Sequence, residues 1–431
     1  MARKNDRKVI NAWALFDWAN SAYSLVISTA VFPIYFAANT PDFITFNNWD
    51  ISNGSLYSYS VSTAYILIAI MSPFLSGIAD YSGRRKFFLR LFTTLGALSC
   101  MSLFFFTGGS SLMIGVAGFI IATIGFAGSL VFYDSYLPEI ATEDKMDKVS
   151  ARGYAFGYIG SVLLLLFILF MINKPEGFGF TDPKTPVRTG FALVGIWWLG
   201  FAQITFLRLP PDSTGKFKSN VLFKGFQEIR KVFLVVMKQR RLLIFLSGFF
   251  FMSAGVQTVI YLASTFAEKE LSFETSELIM IILLLQIVAI AGAYLFAYIS
   301  SKIGNKYSLM TAVSIWALIC LTAYYVEDKV QFYFLSGAVG MVLGGVQSLA
   351  RSSYGKIIRE YKNDHTSFFS FYDVVYKMSI VMGTFVFGTV NQVMGGMRPS
   401  ILALAVFFLI AMILFSLIRI QVIKPENGAI D

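Results

Sequence analysis

The chain has 431 residues, of which 56% are hydrophobic and 14% charged, and a formal net charge of +10; its mean hydropathy is +0.66. So apolar a composition excludes an ordinary soluble globule. The positive charge is spread over short loops with no recognisable nucleic-acid module, so no nucleic-acid partner is expected.

In chain order the apolar residues gather into about twelve runs of roughly 19 to 27 residues, each long enough to cross a hydrocarbon core. They cover 12–38, 57–79, 87–107, 111–133, 151–172, 189–208, 242–266, 276–300, 308–326, 331–352, 367–390 and 399–420. Continuous runs with scattered Gly predict helices and argue against a lipid-facing barrel, whose segments are short and alternating. Arg3, Lys4, Arg7 and Lys8 before the first run resemble a secretory leader. Asp17, Asn20 and Ser21 inside that run, and the lack of a clean small-residue cleavage site after it, make it a retained first helix instead. About 28 Lys and Arg against about 6 fall on the side that holds the N-terminus, which predicts cytoplasmic N- and C-termini.

The first helix carries Asp17, Asn20, Ser21, Ser24 and Ser28 at helical intervals, a polar stripe with Tyr23 beside it. An ionisable group in a membrane is costly and is kept where it faces a cavity or a partner. A second reading of Asp17 also fits, an interfacial residue that complements the helix dipole. After the second run comes GIADYSGRRK, Gly77 to Lys86. Gly77 and Gly83 permit a tight turn. Asp80 can accept a charge-assisted bond from Arg84 or Arg85 or face a helix N-terminus, as a gating latch would; alternatively the Arg residues are ordinary positive-inside loop residues.

The fourth run ends on Gly125, Ser129, Tyr133 and Asp134. The largest break follows the sixth run: PPDSTGKFKSN has linker chemistry, and Phe223, Phe226, Ile229 and Phe233 then recur at helical spacing. That pattern fits an amphipathic helix on the inner membrane surface or one packed under the bundle. The break divides the chain into 1–210, a linker at 211–241, and 242–431.

In the second part, Ser253, Gln257, Tyr261 and Ser264 repeat the polar stripe, and Gly337, Gly340, Gly344, Gln347 and Arg351 form a small-residue face ending in a donor. Arg351 and Asp134, near helix ends, read equally as gate or surface residues. Gln257 and Gln347 read as cavity residues or as packing glue. Asp373 and Lys377 are four apart and can pair on one helix face, as a structural pair or a substrate or proton site. His365 falls in a predicted loop as a solvated residue. LSGIADYSGRRKFFL and FAYISSKIGNKYSL align Gly83 with Gly304 and Arg85 with Lys306, and GSLVFYDSYLPEI aligns more weakly with QSLARSSYGKIIR, as two related halves would.

GIADYSGRRK resembles the loop signature of the major facilitator superfamily. ALFDWANSAYSLVI (14–27), VFYDSYLPEIA (131–141), RGYAFGYIG (152–160) and GGVQSLARSSYG (344–355) resemble the vacuole effluxer family within it, known from fungal autophagy-related amino-acid effluxers and many bacterial relatives. The resemblance implies an all-α membrane protein with twelve transmembrane helices in two pseudo-symmetric six-helix bundles. It also implies that helices one, four, seven and ten line a central path, and it makes a bacterial inner membrane the expected setting.

The expected function is therefore secondary transport of a small polar molecule, an amino acid or short peptide, by alternating access. No G-x-x-x-x-G-K-S/T loop occurs, which leaves an ion gradient, protons among the candidates, or the substrate's own gradient as the energy source. No cofactor is expected. Efflux of amphipathic drugs or lipids is an alternative motivated by 44 Phe and 21 Tyr, and a non-transporting receptor is another. An enzyme is not expected, since neither H-E-x-x-H nor G-x-S-x-G occurs and no predicted membrane helix holds a histidine.

Overall fold

The structure is a computed structural model that describes residues 4–46, 49–212, 221–394 and 397–418. Its first helix, α1 (Arg7–Ala22), starts where the Asp6 carboxylate accepts the Lys8 amide, continues through a π-helical stretch at Tyr23–Ala30, and bends by 40° into α2 (Phe32–Asn39). An antiparallel hairpin, β1 (Phe43–Phe46) with β2 (Trp49–Ser52), then pairs Phe43 with Ser52. It lies between two apolar runs, where the all-helical expectation did not extend.

The remaining helices are α3 (Asn53–Ser82), α4 (Arg85–Ser102), α5 (Leu112–Asp134), the single turn α6 (Leu137–Ile140), α7 (Glu143–Asn173), α8 (Thr185–Arg208) and α9 (Val221–Lys238). They continue as α10 (Arg240–Leu271), α11 (Thr275–Tyr324), α12 (Lys329–Ile357), α13 (His365–Met394) and α14 (Met397–Ser416). Ten of these helical segments are long and apolar enough to span a membrane, and the bent first pair makes eleven. The 50-residue α11 would be about 75 Å long if straight, more than twice a hydrocarbon core. Gly304 interrupts it with φ 81° and ψ 160°, and the expected runs 276–300 and 308–326 lie on either side of that break. The count of twelve rests on dividing α11 there.

Helix α1 packs on α7 and α8, α4 on α5 and α8, and α3 on α5; in the second part α10 packs on α13 and α14, and α11 on α12 and α14. Helices α7 with α11 and α12, and α3 with α13, make the seams between the two groups. The Asn5 side chain bonds Thr142, Lys86 Nζ donates to the Leu209 carbonyl at 2.8 Å, and Lys306 Nζ donates to Ser416 and Ile418 carbonyls at 2.6 and 2.9 Å. The Lys- and Arg-rich connections thus collect at one end of the bundle, the basic end. Gly83 (φ 66°) and Gly304 (φ 81°), aligned as repeats, both take positive φ, which glycine adopts without steric cost. The sequence aligns Lys306 with Arg85, but by what it binds it matches Lys86: each lysine donates hydrogen bonds to carbonyls at the end of the last helix of its half.

The linker helix α9 runs against α3, α10 and α13. It buries Val232 and Val236 in the second-half core, whereas Phe223, Phe226 and Phe233 of the expected stripe are exposed. One face therefore packs under the bundle while the other leaves aromatic side chains for a membrane surface.

Close helix crossings rest on missing side chains. A Cβ on Gly125 would lie 2.4 Å from Gly96 Cα, so α4 and α5 touch backbone to backbone and cannot yield to added volume. Gly125→Val should sharply reduce the yield of monodisperse protein and lower its unfolding temperature, whereas Gly200→Val, with open space around it, should change neither.

Candidate functional site

Arg351 reaches the basic half of the bundle from α12 and is 2% exposed. Its Nη1 donates to Asp17 Oδ2 and to Asp134 Oδ1, both at 3.1 Å. Its Nε donates to Ser150 Oγ at 3.0 Å and its Nη2 to the Ser150 carbonyl at 2.9 Å. The guanidinium also lies 4.1 Å from the Tyr154 ring centroid and 4.8 Å from that of Trp13, close enough for cation–π attraction. One side chain from the second half is thereby held by α1, α5 and α7 of the first.

The acceptors are themselves positioned. Tyr133 Oη donates to Asp17 Oδ2 at 2.8 Å, Trp13 Nε1 donates to the Tyr133 carbonyl at 3.1 Å, and the Trp13 and Tyr133 rings stack with centroids 4.5 Å apart. A Cβ on Gly153 would meet Asp17 Oδ2 at 2.5 Å and Arg351 Nη2 at 2.7 Å. Gly157 faces Ser21 and Gly160 faces Trp18 in the same way, so the glycines of RGYAFGYIG are what let α7 lie against DWANSAY of α1.

Asp17, Tyr133, Asp134 and Arg351 are thus brought into one cluster. Asn20 is buried one turn further along α1, and its Nδ2 has no hydrogen-bond partner among the described residues. Gln347 Oε1 accepts from Tyr158 Oη of the other half at 2.7 Å. Tyr23 lies elsewhere: its hydroxyl bonds Thr123 Oγ1 at 2.7 Å and its ring packs on Phe126 and Trp198, within the first half. Gln257 is buried on α10, and the side chain of Tyr261 lies outside the described residues. Lys377 and Asp373 pair with each other along α13.

At the α3–α13 seam, Asp80 Oδ2 accepts the Ser367 amide, in the first turn of α13, at 2.7 Å. The carboxylate meets the positive end of that helix. Arg85 Nη2 lies 3.7 Å from Asp80 Oδ1, and Arg85 Nη1 bonds Glu139 Oε1 at 2.6 Å. Gly83 closes α3 in the left-handed conformation and Gly77 is buried on the same helix. Arg84 follows Gly83 and has a partner of its own. His365, expected to be solvated, is 2% exposed, with Nδ1 3.7 Å from Glu139 Oε1. It is the first residue of α13, and docking of that helix end on α6 removes it from water.

The second seam has an ionic junction that sequence reading missed. Asp147 Oδ2 accepts from Lys356 Nζ and Ser300 Oγ, both at 2.7 Å, and Oδ1 accepts from Asn305 Nδ2 at 2.8 Å. Arg359 bonds Glu143 at 2.8 Å beside it. Asp147 sits in EDKMDKVS, which reads as a hydrophilic loop; only the acidic first turn of a longer α7 would have signalled it. Among the described residues no group of three His, Cys, Asp or Glu side chains is placed to hold a metal ion.

Removing one partner of a buried ion pair strands a charge, at a cost of about 3–5 kcal/mol. Arg351→Met, which leaves Asp17 and Asp134 facing each other, should lower the unfolding temperature more than Asp17→Asn does. Combining Arg351→Met with Asp17→Asn should recover part of that loss in thermal melts; strict additivity of the two would show that they are uncoupled.

The family description "Vacuole effluxer Atg22 like" matches residues 5–427. The chain is 27% identical to the "Uncharacterized MFS-type transporter YxiO" of Bacillus subtilis, over 99% of this chain and 97% of that one. It is 23% identical to "Autophagy-related protein 22" of Coccidioides immitis, over 84% and 72% of the two chains. Among solved structures it resembles the fucose:proton symporter FucP of E. coli (TM-score 0.68, 13% identity, 96% and 98% covered) and the proton:xylose symporter XylE (TM-score 0.71, 15% identity, 96% and 95% covered). These likenesses give the major facilitator fold, a membrane transporter and not an enzyme, and the match across nearly the whole length makes this chain a member of the Atg22-like vacuole effluxer family.

Proposed function

We propose that this transporter moves a small polar metabolite, an amino acid or short peptide, by alternating access, with residues 1–210 rocking against 242–431 and protons as the coupling ion. The observation that carries the reading is the Arg351 cluster. One guanidinium tied across the halves to two carboxylates closes the basic end, and it must come apart for that end to open. Both carboxylates ionised leave one negative charge in excess in a buried place, a costly state. A proton delivered to Asp17 removes the excess and releases one of the two ties. The Asn20 Nδ2, buried just beyond the cluster with no hydrogen-bond partner among the described residues, offers a donor to a substrate carbonyl or carboxylate. Arg351 is engaged in this state, so a substrate carboxylate would meet it only after the cluster opens. The concentration of Lys and Arg at the basic end supports cytoplasmic termini in a bacterial inner membrane; this structure is then closed to the cytoplasm.

In reconstituted vesicles, at least one amino acid or dipeptide should show counterflow, and an imposed pH gradient should accelerate its uptake. Asp17→Asn at equal reconstitution should reduce uptake roughly tenfold or more, the effect of losing about 1.4 kcal/mol. Unchanged uptake by that variant would overturn the role of Asp17, and indifference to the pH gradient would overturn proton coupling.

A further inference from the structure

Over the Asp147 junction lies a cavity of about 860 Å³ with walls from both halves: Lys4 and residues 142–147 on one side, residues of α10, α11, α12 and α14 on the other. Its charge is unbalanced. Two of its three carboxylates are already matched, Asp147 by Lys356 and Glu143 by Arg359. Four more cations line it, against the single remaining carboxylate of Asp144. Lys4 and Lys306 spend their ammonium groups on neutral carbonyls of Pro138, Ser416 and Ile418, and neither forms an ion pair with a carboxylate among the described residues. Arg241 and Lys362 are exposed and have no carboxylate partner among the described residues. The pKa of Lys4 is lowered first by burial and then by the positive charges of Arg359 and Lys362, with Glu139 opposing them. Phe245, Leu309 and Phe415 add an apolar wall.

We propose that this cavity is a binding site for the phosphate group of an anionic ligand, with Lys4, Arg241 and Lys362 exposed around its mouth and the half-buried Lys306 further in. Arginine and lysine are the side chains that hold phosphate oxygens by charge-assisted bonds, and four cations without an ion-pair partner among the described residues concentrate the field around one space. The phosphate can belong to a phospholipid headgroup or to a soluble compound. Because the walls belong to both halves, the ligand binds this closed arrangement better than one in which they have separated, and so favours it. The site stands on its own geometry, independent of what the chain transports or what drives transport.

Thermal unfolding of the full chain tests it without a transport assay. The soluble probe is inorganic pyrophosphate, compared with sodium chloride at equal ionic strength to remove general screening; the lipid probe is phosphatidylglycerol added to phosphatidylcholine nanodiscs. At least one of the two should raise the unfolding temperature of the natural chain, and Arg241→Gln with Lys362→Gln should lose at least half of that rise. Both residues are exposed, so the variant should fold, and the ligand-induced difference is independent of its baseline. A rise with pyrophosphate alone assigns a soluble ligand, and a rise with phosphatidylglycerol alone assigns a headgroup. No rise with either, or an equal rise in the variant, overturns the site.

Discussion

A guanidinium taken out of water must be surrounded by acceptors, and at Arg351 every acceptor belongs to the other half of the chain. That single requirement constrains much of the basic end. Helix α7 has to bring the Ser150 carbonyl and hydroxyl beside α12, so the two helices run in contact. Gly153 has to lack a side chain, because a methyl there would occupy the space of the Asp17–Arg351 bond. Tyr133 has to be held by Trp13 so that its hydroxyl faces Asp17 and its ring faces the cation. Asp134 ends α5 at the depth where Arg351 arrives. Each element answers to a separate local rule of helix packing, and together they make one cage.

The helices were legible because lipid tolerates no unpaired backbone, so a sustained apolar run of sufficient length has one solution. Their boundaries were less so. Helix α7 begins eight residues before its apolar run, since EDKMDKVS continues the helix into the polar layer with its acids at the positive end. Asp17, Tyr133, Asp134 and Arg351 stood out individually as polar groups in apolar surroundings, but nothing in their spacing paired them. The pairing depends on how closely α1 and α7 approach, and that is decided by Gly153, Gly157 and Gly160, which in sequence are only small residues. Asp147 was invisible for the opposite reason: among lysines at a basic end, a carboxylate that makes three interhelical bonds reads the same as one that makes none.

The two seams occupy related places in the halves but are wired with opposite polarity. At α3–α13 the carboxylate, Asp80, lies at the end of the helix entering the turn, and it meets the backbone amide at the start of the partner helix. At α7–α11 the carboxylate, Asp147, lies near the start of a helix, and it meets Ser300, Asn305 and Lys356 around the break at Gly304. The first seam draws on a helix dipole acting on a buried carboxylate, a contact worth up to about 2 kcal/mol in partly buried settings. The second draws on a full cation. Two related halves have thus reached closure at the same end by different interactions, which is why repeat alignment finds the glycines of both turns but only one of the two carboxylates.

The central cluster differs from the seams in placing a nearly fully buried cation between two carboxylates. Arg359 and Glu143 are exposed enough for water to replace each as the other's partner when the halves separate, and pairs of that kind contribute little net stability, whereas Asp147 and Lys356 are largely buried. Arg351, 2% exposed, has no such substitute until water has already entered. On the proposed reading the barrier to opening concentrates at the cluster, and whatever alters its charge or its acceptors alters the barrier most. On the proposed reading, proton and substrate both reach it from the side opposite the basic end, past Asn20 and Gln347. On that reading, a transporter whose last closed layer is also its most charge-sensitive one couples occupancy to opening without a separate sensor, because the groups proposed to bind are the groups that would hold the gate shut.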